Sequence, residues 1–215
     1  MKRTGAFFDL DQTILTTNTS VKWGMLMFFK GDLPWKFFYL AALYGPLYKL
    51  KILPFELAMG KLISTLKGRS ARRTLKITRE YFEKRKILLY RPRLLQQIGW
   101  HKAKKHKIVI VTQTLDFIAR IFAKDLGVKH FISTEVEIKN GKFTGNVKPC
   151  VSYKKDDLME NIAKKLNISL RKSYAYTDSI KDVEMLEKVG HRYVVNPGMM
   201  LKKMAQHKGW NIWEI

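Results

Sequence analysis

Four short apolar runs each stop at a polar residue, and this repeated ending constrains the fold more than any other feature of the chain. They are residues 5–9, "KIVIVT" at 107–112, "SYAYTD" at 173–178 and "HRYVVN" at 191–196. Runs of this length, rich in β-branched and aromatic side chains, have the pattern of buried strands. Between them the apolar spacing becomes helical. "TLDFIARIFAKDLG" has apolar residues at 115, 117, 118, 121, 122 and 126, and "KKDDLMENIAKKL" and "IKDVEMLEKVG" behave alike. Strands alternating with helices predict an α/β fold with a doubly wound, mainly parallel, Rossmann-like sheet.

Two stretches depart from the alternation. "VEIKNGKFTG" at 136–145 carries Asn140-Gly141 between alternating residues and predicts a β-hairpin. Residues 16–92 have no comparable strand signal and predict an inserted helical cap, leaving 1–15 and 93–215 as the α/β core. Ser70 is placed to cap a helix running to about Leu89, and Pro92 marks the return to the core. "FFYLAALYGPLY" at 37–48 is the most apolar window; twelve uncharged residues broken at Gly45-Pro46 are too few to span a bilayer as one helix. Flanked by Trp35, Lys36, Lys49 and Lys51, the window suits either packing inside the insertion or a membrane interface.

The apolar fraction of 46% is that of a globular chain, but 41 Lys and Arg against 18 acids give a net charge of +23. Residues 16–92 hold 16 Lys and Arg against four acids, about half of that excess. Such a field concentrates anions: phosphates, nucleic acids or acidic lipid surfaces. The first apolar run ends at Asp9 without the pattern of a secretory leader, and the single Cys150 can form no internal disulfide. Both features predict a cytoplasmic protein, with peripheral contact at the inner membrane left open.

Ligands of doubly wound sheets bind beyond the carboxyl ends of the strands, where Asp9, Asp11, Thr112, Asp178 and Asp182 fall. Four carboxylates brought together repel one another unless a cation intervenes. An all-oxygen cluster is what Mg²⁺ prefers, and Mg²⁺ shares its sites with water and phosphate. Lys154 or Lys155 would set a positive charge opposite such a phosphate.

These blocks resemble the haloacid dehalogenase superfamily of phosphatases, subfamily IB, the phosphoserine-phosphatase-like hydrolases with a helical cap after the first strand. The resemblance runs through "DLDQT" at 9–13, "IVIVTQT" at 108–114, "SYKKDDL" at 152–158, "YTDSIKDVEML" at 176–186, "VVNP" at 194–197 and "GW" at 209–210. It implies a Mg²⁺-dependent phosphomonoesterase working through an aspartyl-phosphate. By resemblance Asp9 attacks phosphorus, Asp11 moves protons, and Asp9, Asp178 and the carbonyl of Asp11 hold the metal. Thr112 would bind a phosphoryl oxygen. Lys154, whose spacing to Leu158 resembles the family's Lys-x-x-x-Leu pattern, would neutralise charge, and Asp182 would serve the metal through water or orient that lysine.

Gln12 stands where the family commonly has glycine or another small residue. Asn18 stands where phosphoserine phosphatases carry a glutamate that reads the substrate's amino group, so L-phosphoserine is not the expected substrate. Asn18 and Trp23 are candidate substrate contacts. The expected partner is a phosphorylated small molecule or lipid. Two alternatives accompany it: a lipid-phosphate phosphatase on an anionic membrane surface, similar to the phosphatidylglycerophosphate phosphatases, and a catalytically inactive anion- or nucleic-acid-binding protein. Possession of both acid pairs weighs against the latter. The five histidines show no ligand spacing, and the basic run at 101–107 reads as a solvated helix end.

Overall fold

The computed structural model of the protein describes residues 2–50, 52–148 and 155–215. Its strands are β1 (Gly5–Phe8), β2 (Lys107–Leu115), β3 (His130–Thr134), β4 (Val136–Lys139), β5 (Lys142–Val147), β6 (Tyr174–Thr177), β7 (His191–Val195) and β8 (Asn211–Trp213). Its helices are α1 (Thr19–Phe29), α2 (Trp35–Lys49), α3 (Phe55–Ser64), α4 (Ala71–Leu89), α5 (Pro92–Ala103), α6 (Asp116–Asp125), α7 (Lys155–Lys165), α8 (Val183–Glu187) and α9 (Met199–His207).

Six strands form one sheet in the order β3-β2-β1-β6-β7-β8, and every pairing in it is parallel. The order changes direction at β1, which pairs with β2 on one side and β6 on the other. That is the switch point at which doubly wound sheets open a crevice. Two strands have no counterpart in the sequence reading. β3 is a partly exposed edge strand and β8 has only three residues, so neither gives a long apolar run. β2 also runs three residues beyond Thr112, which places Thr114 on the strand.

Alternation along β1 sends Phe7 to one face and Phe8 to the other, and an apolar layer covers each. On the Phe7 side lie Met159, Leu186 and Leu201 from the helices after β5. On the Phe8 side the layer is continuous with the insertion: Trp23, Met27, Ile63 and Phe82 join Ile110, Phe117 and Phe122 in one cluster. The insertion therefore packs on the sheet rather than around a core of its own. The chain leaves and returns side by side, with the Thr16 N–H donating to Leu89 O at 2.8 Å and the Arg91 N–H to Ile14 O at 2.9 Å.

Asn140 and Gly141 both take positive φ, 49° and 71°, as the tight turn between β4 and β5 requires. This hairpin bonds to the insertion. The Phe143 N–H donates to Arg69 O at 3.0 Å, and the Gly68 N–H to Phe143 O at 2.9 Å. Ser70 caps α4 by accepting the Arg73 N–H. Pro46, expected to break the helix, lies inside α2 instead. It falls in the last turn, where only one intrahelical donor is lost, and the preceding Gly45 has no Cβ for the proline ring to strike.

Candidate active site

β1 delivers Asp9 to the switch point, where its N–H donates to Tyr176 O at 2.9 Å and ties the ends of β1 and β6 together. The chain then makes one wide helical turn over Leu10–Ile14, within which Gln12 adopts φ 59°. Left-handed backbone is the physical reason for the small residue common at that position.

Each acid is held by a different set of partners. Lys155, at the start of α7, is buried and donates to Asp9 Oδ1 at 3.1 Å and to Asp182 at 2.9 Å. Asp182 also accepts from Thr177 Oγ1 at 2.6 Å. Asp11 accepts from two hydroxyls, Thr19 at 2.7 Å and Thr114 at 2.9 Å, and Thr112 Oγ1 donates to Thr114 Oγ1 at 3.2 Å. Thr13 clasps Asp178: its hydroxyl donates to Oδ1 at 2.9 Å and accepts the Asp178 N–H at 3.0 Å.

Among the described residues no three Asp, Glu, His or Cys side chains group closely enough to hold an ion by themselves. Lys155 stands between Asp9 and Asp182, and threonine hydroxyls hold Asp11 and Asp178. Asp9 and Asp178, at the ends of neighbouring strands, open on the same cavity with Asp11. Carboxylate oxygens opening on one cavity are the donor chemistry of a hard cation that keeps several waters.

The electrostatics agree with a place for such a cation. Burial pushes the Asp9 carboxyl up to about 8; Lys155 opposes this, while Asp182, Asp178 and Asp11 add to it. Asp9 is only 7% exposed. Burial raises the Asp11 carboxyl as well, against the hydrogen bonds from Thr19 and Thr114, and it raises Asp178 despite the bond from Thr13. Burial pulls the Lys155 ammonium down, but Asp182 and Asp9 outweigh it and hold the group above its ordinary value.

The acids floor a cavity of about 620 Å³ whose walls come from the insertion: Trp23 and Met25 of α1, Phe37 and Phe38 of α2, Met59 and Ile63 of α3. The insertion also touches the core across it. Tyr48 OH donates to Gln113 Oε1 at 3.2 Å, and Lys181 Nζ lies 3.5 Å from the centre of the Tyr48 ring.

The family model for haloacid dehalogenase-like hydrolases matches residues 6–187. The chain belongs to this family. The hydrolase is 28% identical over 215 residues to a probable phosphatase of Mycobacterium tuberculosis, covering 98% of this chain and 75% of the relative. It is 26% identical over 220 residues to a histidinol-phosphatase of Neisseria meningitidis, covering 96% of each. Its fold matches a crystal structure from Bordetella pertussis with a TM-score of 0.87, at 24% identity over 100% of this chain and 99% of that one.

In the hydrolase Asp9, Asp11, Thr112, Asp178 and Asp182 all line the one cavity. Lys154 and Cys150 lie outside the described residues, and it is Lys155 that bridges Asp9 and Asp182. Asn18 lines the cavity while capping α1, its side chain accepting the Val21 N–H at 3.0 Å. Trp23 contributes wall, but its indole N–H is spent on Thr78 Oγ1 at 2.9 Å.

Thr13, Thr19, Thr114 and Thr177 hold the acids in place, and the sequence reading assigned none of them to the site. The signal for Thr114 was its two-residue spacing from Thr112, the same that relates Asp9 to Asp11. His101 is also corrected: it is fully buried, with Nε2 3.0 Å from Tyr176 OH and Nδ1 2.8 Å from His106 Nδ1, rather than part of a solvated helix end.

Proposed function

We propose that this hydrolase is a Mg²⁺-dependent phosphomonoesterase that passes the phosphoryl group of an organic phosphate to Asp9 and then to water. The observation that supports it best is the unequal treatment of two acids side by side. Asp9 is paired with a buried ammonium. Asp11 is held between neutral hydroxyls; burial raises both carboxyls, and it is Asp9 that has an ammonium in contact to favour its ionised form. One environment suits a nucleophile and the other a proton carrier.

In the first step the Asp9 carboxylate bonds to phosphorus as the bond to the leaving oxygen breaks, and the Asp11 carboxyl gives that oxygen its proton. In the second, Asp11, now a carboxylate, takes a proton from the water that attacks phosphorus, freeing Asp9 and inorganic phosphate. Thr112 would turn its hydroxyl from Thr114 to donate to a phosphoryl oxygen. Lys155 neutralises charge on Asp9 and the transferring group, and Asp182 with Thr177 aims it. Asp9, Asp178 and the Asp11 carbonyl would hold Mg²⁺, which shields phosphoryl charge when bound. Thr13 fixes the Asp178 carboxylate.

The apolar walls argue for a leaving group with an alkyl or aromatic body, soluble or lipid, and the absence of a charged partner at Asn18 argues against phosphoserine. The phosphatase names of two relatives support the reaction class. Phosphate release should be measured with p-nitrophenyl phosphate and a panel of amino-acid, sugar, nucleotide and lipid monophosphates in Mg²⁺. Equal inactivity of the parent and Asp9→Asn across that panel would overturn the reading.

A further inference from the structure

The insertion presents an apolar surface that the folded chain does not cover. Of the eighteen large apolar side chains left exposed among the described residues, ten lie between Val21 and Leu57. On α2 Trp35 (73% exposed), Tyr39 and Leu43 form one stripe, spaced as a single helix face, and Leu50 follows just past the helix end. On α1, Val21, Met25, Phe28 and Phe29 (83% exposed) repeat the pattern. Phe28 packs edge-on against Phe38 of α2, with ring centres 4.8 Å apart, so the two helices lie against each other.

A water-facing helix normally carries charge on its outer face. The only charged residues of α2 are Lys36 and Lys49. No helix among the described residues is long and apolar enough to cross a membrane.

We infer that this face of α1 and α2 docks onto the surface of an anionic lipid bilayer. Charge selects that occupant. Residues 16–64 carry six lysines against two acids, Asp32 and Glu56, and Asp32 is already paired with Arg73 at 3.0 Å. Apolar side chains inserted at headgroup level with lysines beside them are the chemistry of interfacial helices, each basic residue near an anionic surface adding to the attraction. A second copy is the wrong partner, because it would bring a second charge of +23 against the first.

The placement relative to the cavity gives docking a purpose. Val21 and Met25 belong both to the exposed stripe and to the cavity lining, and α2 lines the cavity with the side opposite its exposed face. An amphiphile lifted from the bilayer would meet apolar side chains without a break as far as the acids. The inference goes beyond the phosphatase reading and does not depend on it.

The test is co-sedimentation of the full chain with vesicles of phosphatidylcholine, with and without phosphatidylglycerol, at low and high salt. The parent should partition onto the mixed vesicles, and added salt should weaken this. Combined Phe29→Ser, Trp35→Ser and Leu43→Ser should lower the partition at least about tenfold, while Lys30→Glu with Lys36→Glu should remove the preference for phosphatidylglycerol.

Lack of parental binding at low salt would overturn the inference. So would binding unchanged by the three serines, which would mean diffuse attraction to the basic chain. A parent that sediments as a dimer while the serine variant is monomeric would assign the face to a second copy instead. Turnover of p-nitrophenyl phosphate without vesicles is measured alongside and should be equal in parent and serine variant. Its absence from both, together with inactivity across the substrate panel, would remove the phosphatase reading and leave the docking result standing.

Discussion

The carboxyl edge of the sheet and the outer face of the insertion solve opposite problems. At the sheet edge, charged groups are buried and each is tied to named partners, and among the described residues no buried side-chain nitrogen or oxygen lacks a hydrogen bond. On the insertion, large apolar side chains stand in water. A buried polar group is costly unless it is paired, whereas an exposed apolar patch is tolerated and marks a surface meant to be covered. The reaction is thus assigned to a lattice that is complete in itself, and recognition to a surface left open.

The sharpest way to break the comparison is to change the lattice at one atom. Asp9→Asn keeps the shape but removes the nucleophile, and should lower turnover by about 10⁴-fold or more. Chelation of divalent ions should abolish parental turnover, and Mg²⁺ should restore it. Phosphate release measures both. If Asp9→Asn retains more than a small fraction of parental activity, the lattice is not where the reaction occurs.

Lys155→Met comes next. It leaves Asp9 and Asp182 facing each other without their shared cation, and loss of one partner from a buried pair costs about 3–5 kcal/mol. Denaturant unfolding should show that loss, together with a fall in turnover of roughly 10²-fold or more. Asp182→Asn should cost less, since it removes a negative charge from the crowd around Asp9. A Lys155→Met protein as stable as the parent would mean that the pairing is incidental.

How much of this was legible beforehand follows the same division. Asp9, Asp11, Asp178 and Asp182 could be placed because each sits just beyond an apolar run or one turn later, and strand topology does the rest. The partners that separate their chemistry could not. Thr114 was hidden by an underestimate of the length of β2, and nothing in the residue pattern marks Thr177 as a partner of Asp182. Lys155 could not be told from Lys154, because the choice depends on which side of the start of α7 faces the sheet. The apolar window at 37–48 was visible, but whether it faced inward or outward was not. α2 does both, which composition cannot say.

Behind the sheet the polar lattice continues, and pH tests whether it is as tightly paired there. Burial, and then His106, pushes the His101 imidazole down to about 3, so the folded state holds it neutral. Between that value and about 6.5 the unfolded chain binds a proton that the folded chain does not. Stability should therefore be fully present above pH 6.5 and fall on acidification, by about 1.4 kcal/mol for each pH unit this one group contributes. Unfolding midpoints between pH 7 and 4 measure the slope, and His101→Gln should make it shallower. An unchanged slope would place the acid sensitivity elsewhere.

The smallest effect tests whether the insertion is held by polar bonds or by its apolar layer. The Trp23 indole N–H donates to Thr78 Oγ1 at 2.9 Å, and that hydroxyl donates to Thr74 O at 2.7 Å, all in buried surroundings. Thr78→Val keeps the volume and leaves the indole N–H without its acceptor, which should cost about 1–3 kcal/mol in unfolding free energy. Thr78→Ser, which keeps the hydroxyl, should recover most of it. Because Trp23 also walls the cavity, a Thr78→Val protein that loses stability but binds apolar phosphate esters unchanged would show that the apolar cluster alone fixes the ring. A raised KM with unchanged kcat would show that this one polar bond inside the insertion sets the shape of the pocket.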